Sequence, residues 1–449
     1  MKKQEIEMCQ GSLWKNLWLY SIPLMFSNVL QILFNLSDVA VVGKFAGPTA
    51  LGAVGSTTIL ITLTTGLLQG MSAGVNSVVA LFLGGQKKAE VKKAVHTAFL
   101  LCLFLGILVL AAGLLFASPV LLLMNTKEEL MEGAVLYLTI YLLGSPALAM
   151  YNYGNAILSA VGDTKRPLKY LSISGVMNII LNLVFVIVFH LSVMGVALAS
   201  IISQYVSAAL ILNHLRRVEG DCRLNLAELR CDGRTAGRIL RIGIPSAIQY
   251  SLFAIANLFV QTAVNYFDHV VVEGNSAAAN ADSIVYDMMA AFYTACTSFI
   301  AQNMGAGKKD RILKTFGITT LYSFLVGAGL GGLLVLFRVP FLLLFTSDAQ
   351  VLSYGMIRLT IMGLSYGISA FMDNATAASR GIGKSTMPTV IVILGSVVFR
   401  IIWIYTVFAY FHTLESLYLL YACAWTVTAI CGNLYFLVNY RKLPEEGTV

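Results

Sequence analysis

The first long apolar stretch of the chain, residues 13–47, constrains the fold most strongly because it carries a proline, Pro23, and one carboxylate, Asp38. About 20 apolar residues cross a bilayer, so the stretch is long enough to span one. A carboxylate inside hydrocarbon is costly unless it faces a cavity, finds a partner or takes up a proton, which favours a site that responds to protons or ions. The alternative is that Asp38 lies at the water interface and only ends a helix.

Similar apolar stretches recur along the whole chain. Apolar residues make up 58% of it and charged residues 12%, and the mean hydropathy is +0.79, which is too apolar for a soluble protein of 449 residues. The first stretch belongs to the body of the protein, so we expect no removable signal peptide. The pattern predicts an all-α polytopic membrane protein with twelve transmembrane helices, near residues 14–45, 50–82, 94–117, 132–157, 168–190, 194–214, 237–266, 276–303, 315–337, 352–378, 388–411 and 416–440.

The distribution of basic residues predicts the orientation of these spans. The loops after the even-numbered spans, together with both ends of the chain, carry most of the 30 Lys and Arg, and the other loops carry few. The positive-inside rule places that basic side in the cytoplasm. The net charge of +8 therefore reflects topology, because no basic soluble domain exists that could bind nucleic acid. We expect an integral protein of the cytoplasmic (inner) membrane, with both termini cytoplasmic and the lipid bilayer as its surroundings.

An internal repeat divides the chain into two halves. Its motifs recur 221 or 222 residues apart: Ile22-Pro23 as Ile244-Pro245, Gly84 with Lys87-Lys88 as Gly305 with Lys308-Lys309, Leu138-Thr139-Ile140 as Leu359-Thr360-Ile361, and Gly162 with Pro167 as Gly383 with Pro388. Each half holds six spans, an even number, so the halves must be related by a pseudo-twofold axis along the membrane normal. We predict an N-terminal lobe at residues 1–214, a cytoplasmic linker at 215–236 and a C-terminal lobe at 237–449. Such lobes are typical of alternating-access transporters, which bind substrate between them.

Several motifs in a fixed order resemble one family. They are Pro23 and Asp38 followed by Val42-Gly43, the turns Gly162-Asp163 and Gly305-Ala306-Gly307-Lys308, and Asn178 with Asn182. Together with the repeat, they resemble the multidrug and toxic compound extrusion (MATE) transporters of the bacterial DinF/NorM-like kind. The resemblance implies export of amphipathic, often cationic compounds in exchange for protons or sodium ions.

The resemblance assigns Asp38 as the coupling acid of the first span. Members that couple through the N-terminal lobe have an asparagine and, one turn on, an aspartate in the fifth span, where this chain has Asn178 and Asn182. Residues four apart share one helix face, so we expect both amides to face Asp38. One acid with neutral amide partners suits a titrating proton better than a sodium site. The alternative is that the amides only hold helices together, as in many membrane bundles.

The C-terminal half departs further from the family. Other branches have a glutamate in the seventh span, whereas residues 245–267 contain no acid, which argues against sodium coupling there. By depth in the membrane, Asp282 and Arg358 could form one ion pair and Asp287 and Arg400 another. We expect Asp373 to be solvated near the inner end of its helix. Whether these charges are structural or functional stays open at this point.

Polar residues of several spans are candidates for the substrate cavity: Gln31, Asn35, Asn152, Asn155, Gln204, Gln249, Gln261 and Asp287. Pro23 and Pro245 occupy equivalent positions in the repeat, and each removes a backbone hydrogen bond and clashes with the preceding turn. We therefore predict a kink in the first and seventh helices, and a conformational role for both prolines.

Other chemistries lack their signatures. No histidine has another histidine three or four residues away, a usual spacing of two metal ligands on a helix, and Gly383-Lys384-Ser385 has neither a preceding strand nor the second glycine of a phosphate-binding loop. We expect no metal, no cofactor, no enzymatic activity and no ATP-driven transport. The expected partners are a small amphipathic substrate and H⁺ or Na⁺, bound by a monomer. A flippase for lipids or lipid-linked oligosaccharides, from the same superfamily, is the alternative function.

Overall fold

A computed structural model describes residues 5–444, and the chain ends, predicted to be cytoplasmic, lie outside the described residues. Within that range eleven helices are long and apolar enough to cross a membrane, and a bent pair makes twelve, which confirms the predicted all-α multispanning fold. The helices are α1 Leu13–Ala46, α2 Pro48–Gly84, α3 Lys88–Leu123, α4 Glu128–Leu143 with Ser145–Val161, α5 Lys165–Val188, α6 Ser192–Arg217, α7 Gly233–Val264, α8 His269–Gly305, α9 Lys309–Leu336, α10 Ala349–Gly381, α11 Thr386–Phe411 and α12 Leu414–Arg441.

Helix α4 bends by 44° between its two halves, at Gly144. Pro146 lies in the first turn of the second half, where a backbone N–H has no partner within the helix, so its absence costs nothing. In a continuous helix the same proline would remove a backbone hydrogen bond and clash with the preceding turn. Gly144 is also required by packing, because a Cβ there would lie 2.1 Å from Oε1 of Gln204 in α6. The sequence predicted a single span here and did not indicate the bend.

The described residues form two compact units. The first contains residues 5–6 and Phe26–Ser251, and the second contains residues 7–25 and the chain from Leu252 onward. In the first unit glycines bring helices close together: a Cβ on Gly106 of α3 would lie 2.8 Å from Cα of Pro146. The lobe boundaries inferred from the repeat stay a prediction.

In the second unit α10 packs against α8, α9 and α12. Its core includes Met289, Tyr366 and Leu417, all nearly inaccessible to solvent. Large apolar side chains such as Leu123 and Leu344 instead remain 82% and 78% exposed at helix ends, as expected for a protein surrounded by lipid.

Helix α1 continues through Pro23, and α7 continues through Pro245, without a break in helical structure. The predicted kinks therefore stay predictions. Wider π-helical turns occur elsewhere, at Val42–Ala46 in α1, Val184–Val188 in α5, and Ile393–Val398 and Ile404–Phe408 in α11. Such turns are frequent near functional sites, and the first two follow Asp38 and Asn182 within a few residues.

Candidate functional site

The carboxylate of Asp38 in α1 lies in a closed network of side chains from α5 and α6. Nδ2 of Asn182 donates a hydrogen bond to Oδ1 of Asp38, and Oγ of Ser200 donates one to Oδ2 at 3.1 Å. Nδ2 of Asn182 also lies 3.3 Å from Oδ1 of Asn178, whose Nδ2 lies 3.5 Å from Oγ of Ser200. Both amides thus lie in one hydrogen-bonded network with Asp38, and their role in coupling stays a prediction.

Close packing of α1 on α5 positions this network. A Cβ on Gly175 in α5 would lie 1.9 Å from the ring of Phe34 in α1, so only glycine allows the ring to approach. Phe34 is one turn before Asp38, and Gly175 is one turn before Asn178. The contact therefore brings the carboxylate and the amides to the same level of the two helices.

The surroundings of Asp38 are buried and carry no compensating positive charge. Asn178, Asn182 and Ser200 are each at most 6% exposed, and Asp38 itself is half-buried. Within residues 5–444, Asp38 forms no ion pair with a Lys, Arg or His side chain. Two tyrosines of α4, the buried Tyr137 and the half-buried Tyr141, lie near enough to interact electrostatically with it. Hydrogen bonds from neutral donors are thus what stabilises the charged form of Asp38.

Ser200 is not among the residues predicted from the sequence. Its signal was a polar stripe on the otherwise apolar α6, where Ser200, Ser203, Gln204 and Ser207 share one face at helical spacing. From this stripe, only Gln204 is among the predicted cavity residues. Its Oε1 and the Oγ of Ser203 are both buried and have no hydrogen-bond partner among the described residues.

A second polar network lies inside the second unit, and it confirms the predicted ion pair of Asp282 with Arg358. Nη1 of Arg358 donates to Oδ1 of Asn275, which also accepts from the hydroxyl of Tyr418 at 3.1 Å. The hydroxyl of Tyr366 donates to the other oxygen of Asp282. Buried charges are tolerated when they are paired and hydrogen-bonded in this way.

The predicted pair of Asp287 with Arg400 is wrong. Nη1 of Arg400 donates instead to Oδ1 of Asn257 in α7 at 3.0 Å, and its guanidinium lies over the ring of Tyr421, 4.5 Å from the centroid. Depth along a helix can be counted from sequence, but the direction in which a side chain leaves the helix also decides which residues meet. That direction places Arg400 towards α7 and α12.

The expectation that Asp373 is solvated is also wrong, because its side chain is buried, with the residue only 6% exposed. The position of Asp373 near the end of α10 in the sequence suggested that it is solvated. The end of this helix is itself enclosed: Asn374 and Ser379 have no exposed surface, and Arg380 is 7% exposed. Asp373 interacts electrostatically with Arg380 and Tyr293.

The remaining cavity candidates lie on five helices. On α4, Asn152 is buried and Asn155 is half-buried, and each has one polar atom without a described partner. Gln261 joins the second network, since its Oε1 accepts from Asn275 at 3.3 Å. Gln31, Gln204 and Asp287 are half-buried, Gln249 is buried and Asn35 is exposed. A common substrate cavity for all of them stays a prediction.

A bundle of long, mostly apolar helices that holds a carboxylate inside it defines a multispanning membrane protein. The MatE family model matches both halves of the chain, at residues 23–184 and 245–406. The chain therefore belongs to the MATE family of multidrug efflux transporters, whose members are transporters and not enzymes. The two matches begin at Pro23 and Pro245, in the register of the internal repeat.

Similar proteins support this membership. The probable multidrug resistance protein YpnP of Bacillus subtilis is 30% identical over 315 residues, 68% of either chain. The probable multidrug resistance protein YoeA of the same organism is 26% identical over 387 residues, 85% of this chain and 84% of YoeA. An outward-facing structure of a multidrug resistance MATE family transporter of the MOP superfamily has the same fold, with a TM-score of 0.92 at 22% identity over 99% of both chains.

Proposed function

We propose that this protein is a secondary antiporter, which exports amphipathic cationic compounds in exchange for protons by alternating access. The observation that carries the proposal is the Asp38 network, in which a single carboxylate meets only neutral hydrogen-bond donors. An acid of this kind inside a membrane bundle is typical of a proton relay. The protein would work in the cytoplasmic membrane with both termini inside the cell.

The donors around Asp38 favour a proton over a sodium ion. Both carboxylate oxygens already accept a hydrogen bond, one from an amide and one from a hydroxyl. A sodium ion would need oxygen atoms in place of these donors. A proton needs less change, because a hydroxyl such as that of Ser200 can turn from donor to acceptor when Asp38 becomes a carboxylic acid.

Exchange requires that the proton and the substrate favour different shapes of the protein. A ligand shifts a conformational equilibrium only by its differential affinity for the two shapes. Protonation of Asp38 removes the charge that Asn182 and Ser200 bind, so the packing of α1 on α5 and α6 is one element that the proton can bias. The names of YpnP and YoeA, both probable multidrug resistance proteins, support a drug-like substrate.

The test is transport by purified protein in phosphatidylcholine vesicles under separately imposed gradients. We expect a fluorescent amphipathic cation to move under a proton gradient and not under a sodium gradient. Transport driven by sodium alone would overturn proton coupling. Transport under neither gradient, together with scrambling of a labelled lipid, would overturn antiport and support the flippase alternative. Protein-free vesicles control for passive leak.

A further inference from the structure

Arg400 of α11 is a buried cation without a carboxylate partner. Its side chain is only 2% exposed, and no Asp or Glu among residues 5–444 lies within ion-pair distance of it. Burying a charge costs a large free energy unless the charge is paired. In this unit the neighbouring Arg358 has the partner Asp282, so the absence of one at Arg400 is a specific feature of its site.

The groups that do contact Arg400 are neutral. Nη1 donates to the amide oxygen of Asn257 at 3.0 Å, while the rings of Tyr421 and Phe253 lie 4.5 Å and 6.0 Å from the guanidinium carbon. Aromatic faces attract a cation but do not neutralise it. Its Nε is buried and has no hydrogen-bond partner in the described part of the chain. The guanidinium therefore keeps unused donors, and a guanidinium presents them in a fork that fits a carboxylate.

The acid that interacts electrostatically with Arg400 does not supply the missing charge. Asp282 interacts electrostatically with Arg400, but its two carboxylate oxygens are taken by Arg358 and by the hydroxyl of Tyr366. Arg358, Asp282 and Arg400 together therefore carry one excess positive charge in the interior of the second unit.

The cluster reaches the accessible surface at two of its members. Asn257, the hydrogen-bond partner of Arg400, is exposed, and the side chain of Asp282 is 28% exposed. An anion arriving beside Asn257 would meet the guanidinium next to the rings of Tyr421 and Phe253. We infer that Arg400, Asn257, Tyr421 and Phe253 form a binding site for the acidic group of an amphipathic aromatic compound. Its carboxylate would pair with Arg400, and its ring would pack on Tyr421 and Phe253.

This inference goes beyond the proposed export of cations, and it concerns equilibrium binding, so it does not depend on proton coupling. It predicts that the protein also binds amphiphiles with an acidic group. The carboxylate of Asp38 would not attract such compounds.

The test compares three probes of one aromatic scaffold, namely 2-naphthoic acid, its neutral amide and the corresponding 2-naphthylmethylammonium ion. Binding to purified full-length protein in neutral phosphatidylcholine nanodiscs is followed by isothermal titration calorimetry. We expect the acid to bind the wild type at least about tenfold more tightly than the amide, the usual range for a hydrogen bond to a charged group. Equal affinities for acid and amide would overturn the inference.

Two variants assign the effect to the site. Arg400→Gln should lower the affinity for the acid to that for the amide, while the affinities for the amide and the ammonium ion stay within about twofold. Lys314→Gln removes the same charge from an exposed position of α9 and should change none of the three. Unchanged affinity for the acid in Arg400→Gln would overturn the inference.

Thermal unfolding separates a binding role from a structural one. Because Arg400 has no carboxylate partner, Arg400→Gln should keep or raise the unfolding temperature of the free protein and should abolish the stabilisation by 2-naphthoic acid. A large drop in unfolding temperature with the acid still stabilising would mean that the guanidinium is structural. Adding phosphatidylglycerol to the nanodiscs identifies the source of the anion. If this lipid competes with 2-naphthoic acid, and Arg400→Gln abolishes the competition, the site binds a lipid headgroup. If the lipid does not compete, the site binds a soluble acid.

Discussion

The side-chain amide of Asn182 donates a hydrogen bond to the carboxylate of Asp38, although 144 residues separate them in the chain. Helices α1 and α5, which are distant in sequence, thus meet at the one acid in the apolar first span. Because the donor is neutral, the strength of this hydrogen bond depends on whether Asp38 is charged or protonated. In the proposed antiport this dependence would couple protonation of Asp38 to the packing of α1 on α5.

Asp38→Asn should abolish proton-driven export and leave the fold intact. Asparagine has the size of aspartate and can still hydrogen-bond Asn182 and Ser200, but it cannot exchange a proton. Substrate efflux from vesicles should fall to the rate of protein-free vesicles, while the unfolding temperature in detergent and substrate binding change little. Full export by this variant would contradict the proposed role of Asp38.

Ser200→Ala should slow export severalfold. It removes the hydrogen bond from Oγ to Oδ2 of Asp38, and a bond to a charged group contributes about 1.5–3 kcal/mol. Ser203→Ala, three residues on along the same stripe, is the matched control, because its buried hydroxyl has no described partner. If both variants transport equally in vesicles, Ser200 does not contribute to the coupling site.

Removing one member of the pair of Asp282 with Arg358 should destabilise the second unit strongly. Asp282→Asn alone leaves the buried charge of Arg358 uncompensated, at a cost of about 3 kcal/mol. Arg358→Gln alone leaves the partly exposed charge of Asp282, at a smaller cost, and the double variant should lose less than Asp282→Asn. Unfolding by denaturant in detergent of all four proteins gives the coupling energy. Strictly additive losses would show that the two residues do not stabilise each other.

Pro23→Ala should fold and yet export poorly. Alanine restores a backbone hydrogen bond inside α1, which favours a straight helix, and a bias of about 2–3 kcal/mol towards one shape is enough to stall a transport cycle. Turnover in vesicles and a pair of spin labels across α1 measure the two effects. Wild-type turnover, with a distance that does not respond to pH, would mean that the proline is only architectural. Pro245→Ala provides the equivalent variant in α7.

Arg311→Gln should release the segment that leads into α1. Arg311 donates hydrogen bonds to the carbonyls of Met8, Gln10 and Gly11, at 3.1, 3.3 and 3.1 Å. Amides near these residues should exchange with deuterium about tenfold faster in the variant, because local opening costs less without the bonds. Unaltered exchange, equal to that of the exposed control Lys314→Gln, would show that other contacts hold the segment.

The sequence predicted the spans, the repeat and the Asp38–Asn178–Asn182 group, because apolar length, register and helical spacing are local properties. It could not predict Ser200, which reaches Asp38 only through the packing of α6, or the bend at Gly144, which depends on a close approach to Gln204. The false pair of Asp287 with Arg400 has a related cause. The depth of a residue in the membrane follows from its position along the helix. The side of the helix that faces a neighbouring helix follows from tertiary packing.

The most direct test of proton coupling is the release of protons when substrate binds to the purified protein. In weakly buffered detergent solution with a pH-sensitive dye, addition of an amphipathic cation to the wild type should release about one proton per bound molecule, because the charged substrate favours the deprotonated acid. Asp38→Asn should bind the same compound and release none. Equal proton release by the wild type and by Asp38→Asn would contradict the account, because the exchanged proton would then come from another group.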